Sequence, residues 1–444
     1  MSRPPGSREG PYERLRAVFA PRTPREASDA VVRSFTLHAL PARMLRASFS
    51  WKTSGWLGTA CLGFFLVLCG TGFVLMFLYV PSVERAYASV KDLEFAVPFG
   101  RWIRGTHRIA AHGMVVAVVL HLVRVFLTGA YKKEGAPGAS RPLNWRVGLV
   151  LLLLTLGLSF TGYLLPWDQL AYWAVTVGTR IAASAPLVGD DVRTWLLGGS
   201  TVGQATLLRF YALHVAVLPA LLAGFAAFHL WRIRKDGGLA AADRVIDAAR
   251  AVAAAAPPAP GKTYSLLGVT HGGTVQSVSP AALLESQSLP SVPHALRRTL
   301  LVLLGTLAVS SLLALVMSAP LEQAADPSRT PNPAKAPWYF LWLQELVSLL
   351  TFRIGDVIVD GALFGGVIVP GLLLGLLGVW PWLDKSPREA AGVWFHPARR
   401  RQCVVFLLLL AGVLVLAAVG TFFRGPYWQL VWPDAVTHSV PGPV

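Results

Sequence analysis

The sequence predicts an all-α polytopic membrane protein, a helix bundle with about seven transmembrane helices. The 444 residues have a mean hydropathy of +0.53, and hydrophobic residues make up 54% of the chain while charged residues make up 14%. This composition is typical of a protein that crosses a bilayer several times, and it excludes an ordinary soluble globule. Stretches long and apolar enough to span as helices cover residues 56–80, 110–131, 147–165, 210–231, 299–318, 362–383 and 403–422.

Basic residues lie mostly on one side of these spans. With the N-terminus placed in the cytoplasm, 28 of the 40 lysines and arginines fall on cytoplasmic segments and 12 fall outside. This bias predicts a multi-pass protein of the bacterial cytoplasmic (inner) membrane with a cytoplasmic N-terminus. The net charge of +17 is thus explained by basic segments that face membrane lipid on the cytoplasmic side. We therefore expect no nucleic-acid partner.

Composition divides the chain into four parts. Residues 1–55 form a basic cytoplasmic lead, in which residues 29–48 alternate apolar and basic positions and predict a helix on the membrane surface. Residues 56–235 hold four spans. Residues 236–295 contain the run AVAAAAPPAP, which predicts a flexible cytoplasmic linker. Residues 296–444 hold the other three spans and an outer segment rich in proline and aromatic residues.

Four histidines form two pairs within two of the apolar segments. His107 and His121 are 14 residues apart, and His214 and His229 are 15 apart. At about 100° and 1.5 Å per residue, each interval is close to four turns, so both members of a pair project from one helix face about 21 Å apart. A lone intramembrane histidine can simply hydrogen-bond within a bundle. Two matched pairs favour axial ligation of two non-covalent b-type haems, one near each membrane surface.

Glycines and arginines near these segments add to the pattern. Two glycines in the first span and two in the third repeat at 14 residues; they are Gly58, Gly72, Gly148 and Gly162. Such glycines usually serve helix packing, but the shared interval predicts gaps through which flat macrocycles approach the backbone. Arginines beside the histidines could pair with haem propionates, although a basic belt at the span ends explains them too. They are Arg104, Arg108, Arg124 and Arg234.

Three runs of sequence resemble the cytochrome b family of the quinol-oxidising bc and b/f complexes. They are RGTHRIAAHGMVVAVVLHLVRVFLTGAYKK, TGYLLPWDQLAYWAV and STVGQATLLRFYALHVAVLPALLAGFAAFHLWRIRKDGGL. The 15-residue histidine interval is similar to that of the short, photosynthetic-type cytochrome b. The last three spans, followed by GTFFRGPYWQLVWP, resemble its subunit IV partner fused to it. The resemblance implies a four-helix dihaem bundle followed by three C-terminal helices.

The resemblance also implies roles for individual residues. His107 with His214 would ligate a low-potential haem near the outer face, and His121 with His229 a high-potential haem near the cytoplasmic face. Among basic residues, Arg104 and Arg124 match positions that contact haem propionates, and Lys132 and Arg234 match positions beside an extra haem of the photosynthetic form.

Two departures from the family pattern carry predictions. Photosynthetic members attach the extra haem through a cysteine, where this chain has Trp56, and no C-x-x-C-H motif occurs; we therefore expect no covalently bound haem. The family's Pro-Glu-Trp-Tyr motif is replaced at 336–339 by Ala-Pro-Trp-Tyr, which removes the glutamate expected to accept a quinol proton. The nearest acidic substitute is Glu345. The expected quinol-site residues are Tyr163, Pro337, Trp338, Tyr339 and Glu345.

These features predict the dihaem cytochrome b subunit of a quinol:cytochrome c oxidoreductase. The resemblance implies a Rieske iron-sulfur protein and cytochrome c subunits as partners, quinol and quinone as substrates, and a dimeric complex. Two alternatives remain open. A dihaem membrane anchor of a dehydrogenase also needs paired histidines but leaves the outer aromatic segments unexplained, and a transporter without a redox role would show no b-type optical bands.

Overall fold

The computed structural model describes residues 43–132, 141–235 and 287–432, together with positions 239, 248, 251 and 252. Among these residues seven helices are long and apolar enough to cross a membrane, which confirms the predicted fold class. The surface helix expected at 29–48 and the linker expected at 236–295 lie largely outside the described residues.

The seven membrane helices are named here first to seventh in chain order. They are Leu57–Leu78, Gly100–Thr128, Arg141–Leu164, Gln204–Ile233, Ser291–Val316, Gly361–Leu383 and Pro397–Phe422. Two shorter helices, Arg46–Phe49 and Trp51–Ser54, precede the first membrane helix. Four more lie in the connections between membrane helices: Ala86–Phe95, Gln169–Ala183, Gly189–Leu197 and Trp338–Leu349. Two antiparallel strand pairs complete the described structure. Strand Arg43–Leu45 pairs with Ser288–Pro290, and Phe352–Ile354 pairs with Val357–Val359.

The helices pack in a few neighbouring sets. The second helix lies against the first and the fifth, the third lies against the fourth, and Trp338–Leu349 packs on the seventh. We refer to the end of the bundle near His107 as the His107 side and to the opposite end as the His121 side. The connections between the third and fourth helices and between the fifth and sixth helices both lie on the His107 side.

These two long connections are joined to each other. Asp168 caps helix Gln169–Ala183 by accepting from the backbone N–H of Ala171 at 2.9 Å, and its other carboxylate oxygen accepts from the N–H of Glu322 at 3.2 Å. The backbone N–H of Gln169 donates to the carbonyl of Gln323 at 2.8 Å. The four-span part and the three-span part therefore share one layer of structure on the His107 side.

A π-helical turn interrupts the fourth helix next to one of the paired histidines. The turn spans Leu213–Val217 and contains His214, and Pro219 follows it. Proline has no N–H to donate to the carbonyl four residues earlier, and its ring crowds that carbonyl. The sixth helix repeats the arrangement, with a π-turn at Phe364–Ile368 before Pro370. Proline thus accounts for the local unwinding at His214.

Candidate functional site

The four histidines face each other in two pairs between the second and fourth helices. The ring centroids of His107 and His214 are 6.2 Å apart with an interplanar angle of 70°. Those of His121 and His229 are 6.4 Å apart at 80°. The two pairs lie about four helical turns apart, so the bundle holds two similar sites at different depths.

Hydrogen bonds orient the rings of the pair on the His107 side. Nδ1 of His214 lies 3.1 Å from the carbonyl oxygen of Leu158, which can only accept, so Nδ1 carries the proton. The hydroxyl of Thr71 donates to the carbonyl of Val67 at 2.7 Å, and its oxygen accepts from Nδ1 of His107 at 2.9 Å. Both rings therefore keep Nε2 unprotonated, the form that binds a metal.

Each pair has the spacing of two imidazoles on a single metal ion. With metal–nitrogen bonds of about 2.0 Å, two imidazoles on opposite sides of one metal place their ring centres about 6 Å apart. The separations of 6.2 and 6.4 Å fit that arrangement. Among residues 43–132, 141–235 and 287–432, no third histidine, cysteine or carboxylate joins either pair. Two axial ligands and no others suit an iron already held by a planar macrocycle, so the donor set fits haem.

One glycine lies against each of the four imidazoles. A Cβ added to Gly162 would lie 2.5 Å from Cε1 of His214, nearer than real Cβ atoms approach. The corresponding distances to Cε1 are 3.2 Å from Gly72 to His107, 3.4 Å from Gly58 to His121 and 3.6 Å from Gly148 to His229. Each glycine leaves room beside the backbone for one imidazole, and not only for a macrocycle. The glycine interval therefore matches the histidine interval.

A crevice opens beside the pair on the His121 side. It contains about 820 Å³ of empty space, including part that is open to the surroundings, and its lining is mostly apolar. Polar groups on its wall include His121, His229, Arg124, Arg141 and Asn144. An apolar crevice with a few converging polar groups is the usual form of a cofactor site.

The basic residues predicted beside the haems already have partners within the protein. Arg104 donates to Glu94 at 2.9 Å and to the carbonyl of Ala319 at 2.8 Å. Arg124 is 4% exposed and donates from Nε and Nη2 to the carbonyl of Thr53 at 3.1 and 2.7 Å. Their roles toward propionates stay predictions.

Lys132, predicted beside an extra haem, joins a buried polar cluster on the His121 side. Its ammonium lies 3.2 Å from Oδ1 of Asp384. The same carboxylate accepts from Tyr131 at 2.8 Å and from Arg399 at 3.1 Å. We refer to Lys132, Asp384, Tyr131 and Arg399 as the Asp384 cluster. The side chain of Arg234, the other residue predicted there, lies outside the described residues.

The predicted quinol-site residues meet around Arg108 on the His107 side. Pro337 precedes helix Trp338–Leu349 as its N-cap. Arg108, Tyr163 and Tyr339 lie close enough for their charges to affect one another. The ring centroids of Trp338 and Tyr339 are 5.3 Å apart in an edge contact. The structure therefore brings Tyr163 from the third helix to the residues of the Ala-Pro-Trp-Tyr segment.

Glu345 is placed differently from the other predicted quinol-site residues. Its side chain is fully buried, and both carboxylate oxygens accept from Nε of Arg424, at 3.1 and 2.9 Å. A further bond from Nη2 of Arg424 makes the pair bidentate. A fully buried carboxylate held by a guanidinium in this way is not open to a substrate hydroxyl. The prediction that Glu345 accepts a quinol proton therefore lacks geometric support.

Sequence reasoning missed His112, which lies among the predicted quinol-site residues. The indole N–H of Trp338 donates to Nδ1 of His112 at 3.0 Å. The imidazole also packs against the ring of Tyr339, with the ring centroids 6.0 Å apart. One signal was available: His112 is a third histidine within the second membrane helix, and ionisable groups at that depth are usually functional.

Comparison with known proteins places this arrangement in a family. Residues 47–237 match the family model described as cytochrome b/b6/petB, and residues 324–432 match the one described as cytochrome b (C-terminal)/b6/petD. Cytochrome b6 of Prochlorococcus marinus (strain MIT 9303) is 46% identical over 181 residues, which cover 41% of this chain and 80% of that protein. The chain belongs to the cytochrome b family.

Two further relatives of this cytochrome b agree with that assignment. Cytochrome b6 of Crocosphaera subtropica (strain ATCC 51142 / BH68) is 45% identical over 181 residues, which cover 41% of this chain and 79% of that protein. The solved structure of a hyperthermophilic respiratory Complex III aligns with a TM-score of 0.64 at 22% identity and covers 92% of each chain; it supports the fold. The chain is thus a b6f-type cytochrome b fused to a subunit IV-like part, and as a member of this family it serves electron transport in the membrane.

Proposed function

We propose that this chain is the dihaem cytochrome b subunit of a respiratory quinol:cytochrome c reductase. The observation that carries the proposal is that two histidine pairs face each other between the same two helices, four turns apart. They are His107 with His214 and His121 with His229. When bound, two haems supply one-electron carriers at two depths of the membrane. The histidines hold them, the neighbouring glycines make room for the imidazoles, and the apolar walls exclude water.

Quinol binds on the outer face, at the His107 side, between Tyr163 and the segment from Pro337 to Tyr339. The aromatic rings there offer a flat apolar surface, and Arg108 favours the anionic form of a hydroxyl that is losing its proton. One electron leaves to a Rieske iron-sulfur protein. The other crosses the membrane to a quinone near the cytoplasmic face, so protons are released and taken up on opposite sides.

The membrane orientation and the partners complete the proposal. The positive-inside bias supports a cytoplasmic N-terminus, with the His121 side facing the cytoplasm. The chain would assemble with a Rieske protein and cytochrome c subunits in a dimeric complex of the bacterial inner membrane. No described observation favours the dehydrogenase anchor, because the residues grouped around Arg108 would then have no role.

Two measurements test the proposal. A reduced-minus-oxidised spectrum of the purified protein should show two b-type haems, and a spectrum without b bands would leave only the transporter alternative. Purification of the intact complex should then yield a Rieske protein among the co-eluting subunits, with haem reduction that depends on added quinol. A dehydrogenase subunit in its place would support the anchor alternative.

A further inference from the structure

His112 occupies a face of the second helix that the haem ligands do not use. It lies five residues beyond His107, which corresponds to about 7.5 Å along the axis and about 140° around it. This rotation turns the side chain away from the His107–His214 pair and toward the first turn of helix Trp338–Leu349. His112 therefore belongs to the quinol site and not to the haem site.

The contact with Trp338 defines the protonation of the ring. An indole N–H can only donate, so Nδ1 of His112 is an acceptor and the ring proton of the neutral imidazole is on Nε2. Trp338 is 43% exposed, and its ring lies 6.4 Å from the imidazole at an interplanar angle of 29°. A small rotation of this exposed indole would open Nδ1 to a hydroxyl of a bound molecule.

Three buried or half-buried carboxylates near this region are committed to other contacts, and Glu322 is exposed. Asp168 caps a helix and holds Glu322 through backbone N–H groups. Glu345 is buried against Arg424, and Glu94 binds Arg104. The motif position that would carry a glutamate is Pro337, which has no polar side chain.

We propose that His112 is the catalytic residue that accepts a quinol proton on the His107 side. This inference rests on the proposed function. It follows from the position of Nδ1 of His112, an acceptor nitrogen in direct contact with the Ala-Pro-Trp-Tyr segment. This segment lacks the glutamate of the family motif. The titratable and charged groups facing His112 are Tyr339, from helix Trp338–Leu349, and Arg108, one turn earlier on its own helix.

Oxidation of one quinol at this site releases two protons and two electrons. One hydroxyl replaces the Trp338 indole at Nδ1 of His112, its O–H bond breaks, and the proton moves to Nδ1. The second hydroxyl releases its proton to the outer water. The two electrons leave the quinol; one would pass to the iron-sulfur partner and the other to the haem that His107 and His214 would hold. The positive charge of Arg108 disfavours the protonated form of His112, so His112 then releases the proton to the outer water.

The test compares three variants of the purified complex. His112→Asn keeps a side-chain acceptor for the quinol hydroxyl but removes the basic nitrogen. His396→Asn is the matched control, since His396 is also half-buried and lies on the His121 side, where its Nδ1 accepts from the N–H of Ala398 at 3.2 Å. The double variant His112→Asn/Pro337→Glu restores a carboxylate at the motif position. Steady-state turnover with decylubiquinol gives kcat and KM, and haem reduction by decylubiquinol is followed in a stopped-flow spectrometer.

We expect His112→Asn to lower kcat about 10²-fold, the size of a lost general base, with a smaller change in KM. Haem content and reduction by dithionite should stay at wild-type values. His396→Asn should behave as wild type. The double variant His112→Asn/Pro337→Glu should have a kcat at least tenfold above that of His112→Asn. Wild-type kcat in His112→Asn, or a loss that Pro337→Glu does not rescue, would overturn the proposal. If decylubiquinol failed to reduce the haems of the unmodified complex, the proposed function itself would be refuted.

Discussion

Lys132, which follows the second helix, forms a buried ion pair with Asp384, which ends the sixth helix. The ammonium and the carboxylate oxygen are 3.2 Å apart, and the side chain of Asp384 is fully buried. Arg399, also fully buried, binds the same carboxylate and donates to the carbonyls of Leu127 and Phe126 at 3.0 and 2.7 Å. One carboxylate thus joins the four-span part to the subunit IV-like part.

Asp384→Asn should therefore destabilise the protein. It leaves two buried cations, Lys132 and Arg399, without a counter-charge, and breaking such a pair costs about 3 to 5 kcal/mol. The midpoint temperature of unfolding in detergent should fall by several degrees. Asp356→Asn, in the exposed turn between Phe352–Ile354 and Val357–Val359, is the control and should change it little. Equal midpoints for the two variants would contradict a stabilising role for the pair.

The Asp384 cluster also predicts a pH dependence. Burial raises the pKa of the Asp384 carboxyl, but hydrogen bonds from Ser386 and Tyr131 and the charge of Lys132 outweigh it and hold the pKa well below its usual 3.8. A carboxyl with a lowered folded-state pKa contributes stability above its unfolded-state value and loses it as the pH falls toward the folded-state value. The wild-type midpoint should decrease below about pH 4, and Asp384→Asn should show a flatter profile.

The glycines beside the histidines offer a matched pair of substitutions. Gly162→Ala would place a Cβ 2.5 Å from the His214 ring and force that imidazole to move. Gly148→Ala would place a Cβ 3.6 Å from the His229 ring, an ordinary contact distance. Gly162→Ala should lower the amount, or shift the potential, of the haem on the His107 side, as measured by redox titration. Gly148→Ala should keep both haems. The reverse order of effects would show that the imidazole contacts do not control haem binding.

His121→Leu should remove one haem and leave the other. Leucine fills the space of the ring but supplies no ligand, and the pair at His107 and His214 lies about 21 Å away along the helix. The ratio of haem to protein should fall by half, with the remaining b-type signal close to that of the wild type. His396→Leu is the control and should retain two haems. Two unaltered signals in His121→Leu would show that the ligand assignment is mistaken.

No haem should be covalently attached. Trp56 occupies the N-cap of the first helix, at the position that the family resemblance aligns with an attaching cysteine, and Cys61 is the nearest thiol in sequence. Acid-acetone extraction should strip all haem from the chain, in the wild type and in Cys61→Ser alike. Haem staining that persists on a denaturing gel would refute this prediction, and its loss in Cys61→Ser would identify Cys61 as the attachment point.

Glu345→Gln distinguishes a structural carboxylate from a catalytic one. The ion pair with Arg424 is buried, so the variant should lose stability because the guanidinium keeps no counter-charge. Turnover per intact complex should stay near the wild-type value. The double variant Glu345→Gln/Arg424→Gln should recover part of the stability, since neither side then carries an unpaired charge. A rate loss of about 10²-fold at unchanged stability would restore Glu345 as the proton acceptor.

Local sequence patterns were sufficient for the parts of the molecule that depend on one helix at a time. Apolar length predicted all seven membrane helices, because a span needs about 20 apolar residues whatever its neighbours are. Helical periodicity placed His107 with His121, and His214 with His229, on single faces, because 14 and 15 residues are close to whole turns.

Only the tertiary structure decided which side chains meet across distant segments. His112 and Trp338 are 226 residues apart and Lys132 and Asp384 are 252 apart, and no periodicity links such positions. Glu345 illustrates the consequence. Its spacing from Tyr339 suggested a base near quinol, but Arg424, 79 residues further on, holds the carboxylate. Helical repeat determines the direction of a side chain on its own helix, whereas the packing of helices determines the partner that it finds there.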